Sequence, residues 1–498
     1  MNIAMLLQMA ADTCPDRIAL TSHHQHYSYG QIFEAAARAA DLIRESGCPF
    51  VSVLDTSSPA VPVALLGAAI SGVPYVPLNY RLTHAQLDGL VKRISPPFMV
   101  ADDHHRGNYE GIPGATVLSQ PQFLGATLGG TSSGAAWPED PSMVAVQLFT
   151  SGTTGEPKAA ILRHEHLVSY IIGSVEFMSA EEDEATLVSV PPYHIAGISA
   201  VLSSIYACRR IVQLPDFGAA AWLEAAEHER VTSAFVVPTM LSRIVDHLDT
   251  IEKLPHLANL RAIAYGGGKM PVPVIQRALT LFPGVDFTNA YGLTETSSTI
   301  TLLGPDDHRQ ALAGSDPQAR ARLGSVGRPL PTVEIEVRDD EGRVLGPMEA
   351  GEIYVRGPQV SGEYQGRSAL DADGWFPTRD AGYLDDEGYL FLSGRADDVI
   401  VRGGENISPS EIEDVLLTHE AIADAAAVAI PSKEWGEAVG AVVVLKPGRE
   451  ATVHELQHLV KSQLRSSRVP EQILFDAELP YNETGKLLRR LLKARFTE

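Results

Sequence analysis

The sequence predicts an α/β protein with a large N-terminal domain, made of two α/β sheet halves and a β-rich subdomain, and a small α+β C-terminal domain. Between Val51 and Asp286, short apolar runs alternate with helix-length segments, as in parallel sheets whose strands are joined by helices. After Gly324 the chain becomes rich in strands separated by turns, and a compact mixture of strands and helices ends it. The first two patterns define the predicted N-terminal domain, and the third defines the C-terminal domain.

The N-terminal region contains the alternating elements in chain order. Strands are predicted at 51–55, 75–78, 98–102, 144–149, 186–190, 210–214, 233–237 and 260–265. Helices are predicted at 61–71, 83–94, 167–178 and 220–229. Because the strands are short and mostly apolar, they are typical of parallel sheets covered on both faces.

The segments 333–342, 351–357 and 388–395 predict an antiparallel sheet or barrel. In the C-terminal region, Ser408 as N-cap, Pro409 and Glu411 predict a capping box that opens a helix. Strands at 425–430, 438–445 and 472–475, a helix at 453–464 and a terminal basic helix complete this region. The boundary is predicted near Asp397, which gives domains 1–396 and 397–498.

Composition excludes several classes of protein. Of the 498 residues, 45% are hydrophobic and 20% charged, which excludes disorder, collagen and coiled coil as the main architecture. The formal net charge of −23 repels nucleic acid and anionic membranes. Any anionic ligand must therefore be bound by local groups.

No apolar run is long enough to span a bilayer, and the N-terminus lacks the basic and apolar regions of a signal peptide. A cytoplasmic protein is therefore expected. Cys14, Cys48 and Cys208 are widely spaced, which favours reduced, structural thiols over disulfides or a zinc site.

Residues 150–158 form a candidate phosphate loop directly after a predicted strand. Their hydroxyls and glycines can surround phosphate oxygens with O–H and N–H donors, and Lys158 adds positive charge. The glycine spacing does not match the pattern of P-loop kinases. By itself the segment is equally compatible with a surface loop. The candidate residues are Thr150, Ser151, Gly152, Thr153, Thr154, Gly155 and Lys158.

This loop resembles the signature loop of the adenylate-forming superfamily, which includes acyl-CoA synthetases, nonribosomal-peptide adenylation domains and luciferases. Four further segments resemble its motifs in order, at 289–296, 378–383, 394–407 and 480–486. One departure is Tyr481, which stands where a basic residue often follows the proline of the last motif. The resemblance implies ATP, Mg²⁺ and coenzyme A as cofactors, and a C-terminal domain that moves between two reaction steps.

The resemblance also implies roles for individual residues. Glu295 would hold Mg²⁺ and Thr294 would contact the α-phosphate, while Tyr291 offers a ring to adenine or belongs to the core. Asp380 would accept from both ribose hydroxyls or is only a turn cap, and Arg395 would donate to the same sugar or to phosphate or forms an ordinary surface ion pair. Lys486 would be the catalytic lysine of acyl-adenylate formation. The remaining nucleotide and CoA candidates are Gly266, Gly267, Gly268, Asn289, Ala290, Gly292, Gly403, Gly404 and Trp435, and the hinge candidate is Asp397, with Asp398 as its rival.

Segment 191–198, PPYHIAGI, contains no carboxylate, although amino-acid-activating relatives usually place an aspartate in the comparable motif. An ammonium group buried there would be unpaired, so an apolar acid is predicted. The candidate acyl pocket consists of His194, Ile195, Phe235, Val236 and Pro238, whose apolar members are equally compatible with ordinary core.

The sequence therefore predicts an ATP-dependent acid:CoA ligase that releases pyrophosphate and AMP, with a small carboxylic acid and CoA as its partners. Two alternatives stay open. The chain could load a carrier-protein thiol in trans, or it could be a non-catalytic nucleotide-binding protein on the same fold. Neither the identity of the acid nor the oligomeric state follows from the sequence.

Overall fold

The structure is a computed structural model that describes residues 1–129, 134–150, 157–252, 255–313, 317–395, 398–402, 405–481 and 487–496. Its described helices are α1 Ala4–Thr13, α2 Tyr29–Ser46, α3 Ala60–Ser71, α4 His84–Arg93, α5 Asp103–Tyr109, α6 Gln120–Thr127, α7 His164–Ser174, α8 Ile195–Tyr206, α9 Ala219–His228, α10 Pro238–Thr250, α11 Val272–Leu281, α12 Pro305–Ala313, α13 Pro317–Ala321, α14 Pro409–Leu417, α15 Val453–Gln463 and α16 Arg489–Ala494.

The described strands are β1 Ile18–Ser22, β2 Gln25–Ser28, β3 Phe50–Leu54, β4 Pro97–Ala101, β5 Thr116–Ser119, β6 Val144–Thr150, β7 Lys158–Arg163, β8 Ala185–Val188, β9 Arg210–Gln213, β10 Ser233–Val236, β11 Ala262–Gly266, β12 Asp286–Leu293, β13 Ser298–Leu303, β14 Arg328–Pro329, β15 Glu334–Arg338, β16 Gly351–Arg356, β17 Glu363–Tyr364, β18 Arg367–Ser368, β19 Phe376–Leu384, β20 Leu390–Arg395, β21 Ile400–Arg402, β22 Glu405–Ile407, β23 Ile422–Ser432, β24 Gly436–Leu445 and β25 Gln472–Asp476. Together with the helices they confirm the predicted fold class.

The largest sheet has nine strands in the order β14-β13-β12-β11-β10-β8-β9-β1-β2. Its middle strands, from β12 to β1, pair in parallel, and antiparallel strands form both edges. Two apolar clusters cover this sheet, one including α8 residues and the other residues of α9, α10 and α11. The carboxyl ends of the parallel strands therefore meet at one edge, where open α/β sheets bind their ligands.

A second sheet region joins the parallel strands β3, β4 and β5 to the antiparallel strands β6, β7, β17 and β18. Tyr75 connects the two groups through isolated bridges to Val51 and Val146. In the predicted strand at 75–78 only Tyr75 makes bridges, but the N–H groups of Val76 and Leu78 donate to the Val51 and Val53 carbonyls of β3 at 2.7 and 2.9 Å. The segment therefore lies along β3 on both sides of Pro77, which itself has no N–H to donate.

The strand that follows the candidate phosphate loop was not predicted. The chain continues from the loop into β7, which pairs with β6 and places Thr150 opposite Lys158. Helix α7 begins only at His164. The loop therefore connects two antiparallel strands at its described ends.

The β-rich subdomain is the antiparallel sheet β15-β16-β19-β20, as predicted. In the C-terminal region, β22-β21-β24-β23 form a sheet to which β25 adds in parallel. Apolar residues of α14 and α15 pack in one cluster with these strands, and Leu492 of α16 packs in another.

The predicted capping box at α14 was wrong. Ser408 is the N-cap and Pro409 opens the helix, but no side-chain cap hydrogen bond forms. Instead the Ser408 hydroxyl donates to the Ser393 carbonyl at 2.7 Å, and the Glu411 carboxylate accepts from Arg468 at 2.9 Å. The side chains of Ser408 and Glu411 both bond to partners outside the helix. Of the predicted start signals, only Pro409, whose fixed φ suits the first helical position, acts here.

Candidate active site

The candidate site lies where β8, β10, β11 and β12 end. Segment 191–198 follows β8, Pro238 follows β10, Gly266 ends β11, and 289–293 ends β12. Because these strands are parallel neighbours, the predicted nucleotide and acyl segments share one edge of the large sheet.

Glu295 lies in a single 3-10 turn, Thr294–Thr296, directly after β12. It is 9% exposed, and its Oε1 accepts a hydrogen bond of 2.6 Å from the Tyr364 hydroxyl. Among the described residues no group of three or more His, Cys, Asp or Glu could hold a metal. A single carboxylate nevertheless fits Mg²⁺, which proteins often bind through one or two carboxylates and substrate phosphates.

The buried side chain of Gln359 binds the backbone at the end of this turn and just after it. Ser297 and Ser298, just after the turn, have φ angles of 56° and 115°, which are unfavourable for residues other than glycine. The Gln359 amide donates to the carbonyls of Thr296, at 3.0 Å, and Thr299, at 2.7 Å. It thereby holds both ends of the strained segment. The sequence analysis missed Gln359, since a lone glutamine carries no pattern.

At the phosphate loop, the structure describes Thr150 and Lys158. The Thr150 hydroxyl donates to the Lys158 carbonyl at 3.3 Å, and the Lys158 ammonium lies 5.8 Å from the centre of the Tyr364 ring. Tyr364 therefore links Lys158 to Glu295. The predicted residues Ser151, Gly152, Thr153, Thr154 and Gly155 lie outside the described part of the chain.

Asp380 connects the candidate nucleotide motifs of β12, β19 and β20. Its Oδ2 accepts from the Tyr291 hydroxyl at 2.6 Å, and its Oδ1 accepts from Arg395 at 2.8 Å. Burial, followed by the charge of Asp380, raises the pKa of Tyr291 well above its usual value. The Tyr291 ring packs against the core of the β-rich subdomain, which is the core alternative left open by the sequence.

Among the other predicted residues near β11 and β12, Asn289 and Gly266 have structural contacts of their own. The buried Asn289 amide donates to the Ser325 carbonyl at 3.1 Å. A Cβ atom at Gly266 would lie 2.1 Å from the Ala290 carbonyl oxygen of the adjacent strand, so this position requires glycine. Gly267, with φ of 80°, and Gly268 are exposed beyond the strand end, whereas Gly292 is half-buried.

The acyl-pocket prediction is partly wrong. Phe235 and Val236 are neighbours on β10, so they point to opposite faces of the sheet, and Val236 is fully buried in the core cluster of α9, α10 and α11. The next residue, Val237, is half-buried and lies 3.6 Å from where a Cβ of Gly267 would stand. Pro238, the first residue of α10, is also buried.

His194 and Ile195 stand at the start of α8, with His194 as its N-cap. Among the described residues, the buried Nε2 of His194 has no hydrogen-bond partner. Burial, and to a smaller extent the charge of Arg81, lowers the pKa of His194 to about 4. The imidazole is therefore neutral at pH 7.

In the C-terminal region, Trp435 is 44% exposed in the turn between β23 and β24, with Arg402 over its ring at 5.6 Å. Trp435 is therefore a surface residue and not a core tryptophan.

Lys269, beside the three glycines, contacts Asp414 of α14 at 2.9 Å. Four further candidates lie outside the described residues: Asp397, Gly403, Gly404 and Lys486.

Comparison with known proteins identifies the family of this site. The family model of the AMP-binding enzymes matches residues 7–365, and that of the AMP-binding enzyme C-terminal domain matches residues 411–486. The chain belongs to the AMP-binding enzyme family. The resemblance drawn from the five motifs is thereby confirmed.

Two curated relatives of this AMP-binding enzyme align over nearly the whole chain. A 2-succinylbenzoate–CoA ligase of Geobacillus sp. (strain WCH70) is 30% identical and covers 99% of this chain and 97% of its own. A fatty acid–[acyl-carrier-protein] ligase of Streptomyces coeruleorubidus is 30% identical, with coverages of 97% and 94%.

Solved structures of o-succinylbenzoate CoA synthetase from Bacillus subtilis resemble the whole AMP-binding enzyme. The complex with the acyl-adenylate intermediate has a TM-score of 0.84 and 30% identity, and covers 98% of this chain and 97% of its own. The complex with ATP and magnesium ion has a TM-score of 0.83 and 28% identity, with both coverages at 99%.

Two smaller findings concern the rest of the chain. No helix among the described residues is long and apolar enough to cross a membrane. All three cysteines are free thiols, and Cys48 and Cys208 are buried. Burial, followed by a hydrogen bond with Cys14, raises the pKa of Cys208 to about 12.

Proposed function

We propose that the protein is an ATP-dependent acid:CoA ligase. A carboxylic acid reacts with ATP to give acyl-AMP and pyrophosphate, and CoA then takes the acyl group and releases AMP. The observation that carries this proposal is the convergence of Lys158, Glu295, Asp380 and Arg395 from three distant segments. Lys158 and Glu295 meet at Tyr364. Asp380 binds both Arg395 and Tyr291, and Tyr291 lies on β12 directly before the turn that carries Glu295.

The first step brings two anions together, so it needs cations and oriented donors around the phosphates. Lys158, together with the loop residues from Thr150 to Gly155, would supply them, and Thr294 would contact the α-phosphate. Glu295 would hold Mg²⁺, which would supply positive charge beside the phosphates. Asp380 presents a carboxylate to the ribose, and Arg395 fixes that carboxylate in place.

The second step needs a path for the CoA thiol. Gly403 and Gly404 would line that path with bare backbone, and the exposed Trp435 offers a ring to the CoA nucleotide. Domain 397–498 would turn about Asp397 relative to domain 1–396, replacing Lys486 at the site by the glycine pair. The contacts of Lys269 with Asp414, and of Ser408 with Ser393, would then break when the domain turns.

Carrier-protein loading remains the second candidate function, because one relative is named a fatty acid–[acyl-carrier-protein] ligase. A non-catalytic role is less consistent with the site, since Lys158, Glu295, Asp380 and Arg395 are all present. Acid-dependent exchange of labelled pyrophosphate into ATP tests for catalysis. Release of AMP in the presence of CoA, compared with a phosphopantetheinylated carrier protein, distinguishes the two acceptors.

Apolar acids are expected to exceed α-amino acids by at least about tenfold in kcat/KM, or about 1.4 kcal/mol. The physical reason is that segment 191–198 offers no carboxylate to a substrate ammonium, while Phe235 and Val237 offer apolar surface. Pyrophosphate exchange with straight-chain, aryl and polycyclic acids measures this.

The same panel includes 2-succinylbenzoate, the acid in the name of one relative, and pairs each apolar acid with its α-amino derivative as a size-matched control. A proteinogenic amino acid as the best substrate would contradict the pocket interpretation and the preference for CoA.

A further inference from the structure

Tyr364 stands between the two ends of the nucleotide site. It belongs to β17, which pairs with β7 and sets Tyr364 opposite Ala160, two residues beyond Lys158. The Lys158 ammonium lies 5.8 Å from the Tyr364 ring centre and the Arg367 guanidinium carbon 5.4 Å. The ring therefore attracts two cations through its π face.

The hydroxyl of the same side chain binds the candidate magnesium ligand. Tyr364 donates to Glu295 Oε1 at 2.6 Å, and charge-assisted bonds of this length are among the strong ones in proteins. A phenol hydroxyl is a donor in the neutral range, and an ionised carboxylate can only accept, so the direction of this bond is fixed.

Backbone groups just before Tyr364 also bind the main chain of Glu295. The N–H groups of Ser361 and Gly362 donate to the Glu295 carbonyl at 2.9 and 3.1 Å. Gly362 has φ of 52°, a conformation that glycine adopts without strain. Segment 361–364 therefore fixes both the main chain and the carboxylate of Glu295, so its geometry is set before any nucleotide binds.

We propose that Tyr364 is a positioning residue for Mg²⁺·ATP. Its hydroxyl holds the Glu295 carboxylate in the orientation that receives Mg²⁺, and its ring keeps Lys158 beside the phosphate chain. This inference rests on the proposed function, because it assigns the two groups to metal and phosphate binding.

Calorimetric titration of ATP, with MgCl₂ and again with EDTA, tests the inference without requiring the acid or turnover. Tyr364→Phe keeps the ring and loses only the hydroxyl. We expect it to weaken ATP binding about five- to tenfold with Mg²⁺, and by less than about twofold in EDTA. Tyr364→Leu also removes the ring, and should weaken binding in EDTA by about threefold or more.

Tyr389→Phe is the matched control. The Tyr389 hydroxyl donates to Asp307 at 2.6 Å, and Arg322 and Arg328 lie 4.4 and 4.2 Å from its ring centre. It thus repeats the chemistry of Tyr364 outside the predicted motifs, and its variant should bind ATP like the unmodified protein under both conditions.

Three results would overturn the inference. Tyr364→Phe could lose ATP affinity equally with Mg²⁺ and with EDTA, it could lose none under either condition, or Tyr389→Phe could lose as much ATP affinity as Tyr364→Phe. Thermal unfolding of each variant separates these outcomes from misfolding. The proposed function fails by another measurement: the unmodified protein would bind Mg²⁺·ATP but show no pyrophosphate exchange with any acid. That result would leave the positioning role of Tyr364 intact.

Discussion

Replacing Lys486 by alanine is expected to reduce acyl-AMP formation by about 10²–10³-fold, the usual effect of removing one group that stabilises transition-state charge. The ammonium of Lys486 would bridge the substrate carboxylate and the α-phosphate only during adenylation. Thioester formation from supplied acyl-AMP should therefore remain within about twofold of the unmodified protein. Pyrophosphate exchange measures the first step, and CoA-dependent AMP release from synthetic acyl-AMP measures the second.

Lys461→Ala is the control, because Lys461 is an exposed lysine on α15 of the same domain. It should leave both steps unchanged. Equal loss of both steps in a folded Lys486→Ala protein would show that the lysine does not act in adenylation alone. Loss in Lys461→Ala as well would attribute the effect to the overall charge of the domain.

The architecture followed from the sequence wherever a local pattern and the tertiary pairing agreed. The short apolar runs at 186–190, 210–214 and 233–237 became β8, β9 and β10, since a parallel strand covered on both faces is apolar throughout. The segment at 75–78 has the same apolar character, and Val76 and Leu78 donate backbone hydrogen bonds to β3. Only Tyr75 bridges strands on both sides, because Pro77 has no N–H to donate.

The sequence identified candidate site residues where a motif concentrates several polar residues, as around Glu295 and Asp380. It did not identify the residues that hold these groups. Tyr364 and Gln359 are far in sequence from the residues they bind, and single tyrosines and glutamines are common in any chain. Likewise, the error at Val236 came from treating adjacent strand residues as one surface, although successive side chains on a strand face opposite sides.

The C-terminal domain contains an ion pair that neither motif nor periodicity indicates. Glu413 of α14 is 6% exposed and accepts two hydrogen bonds from Arg489, at 2.5 and 3.2 Å. The Ala427 N–H donates to the same carboxylate at 2.9 Å, and Arg489 also donates to the Ala427 carbonyl at 3.2 Å. The pair therefore connects α14, β23 and α16. Arg489 lies three residues after Lys486 in the chain.

Glu413→Ala is expected to destabilise this domain by about 3–5 kcal/mol, because it leaves the Arg489 guanidinium buried without its main counter-charge. Hydrogen–deuterium exchange of β23 and β24 measures the local free energy, and exchange should accelerate by about 10²–10⁴-fold. Glu334→Ala is the matched control. Glu334 forms a similar two-bond pair with Arg356, at 3.1 and 2.7 Å, but on the surface, so its loss should leave exchange of β23 and β24 unchanged.

The sign of the pH dependence provides a further check on the same pair. Burial opposes ionisation of Glu413, but the charges of Arg489 and Lys269 outweigh it and lower the pKa of Glu413. A carboxylate with a lowered pKa stabilises the fold fully above its unfolded pKa of about 4.3, and this contribution disappears as the pH falls through the folded value. The difference in exchange between Glu413→Gln and the unmodified protein should therefore be constant near pH 7 and shrink in acid. A difference that grew in acid would show that Glu413 is protonated in the folded domain, and the pair would then be an ordinary buried hydrogen bond.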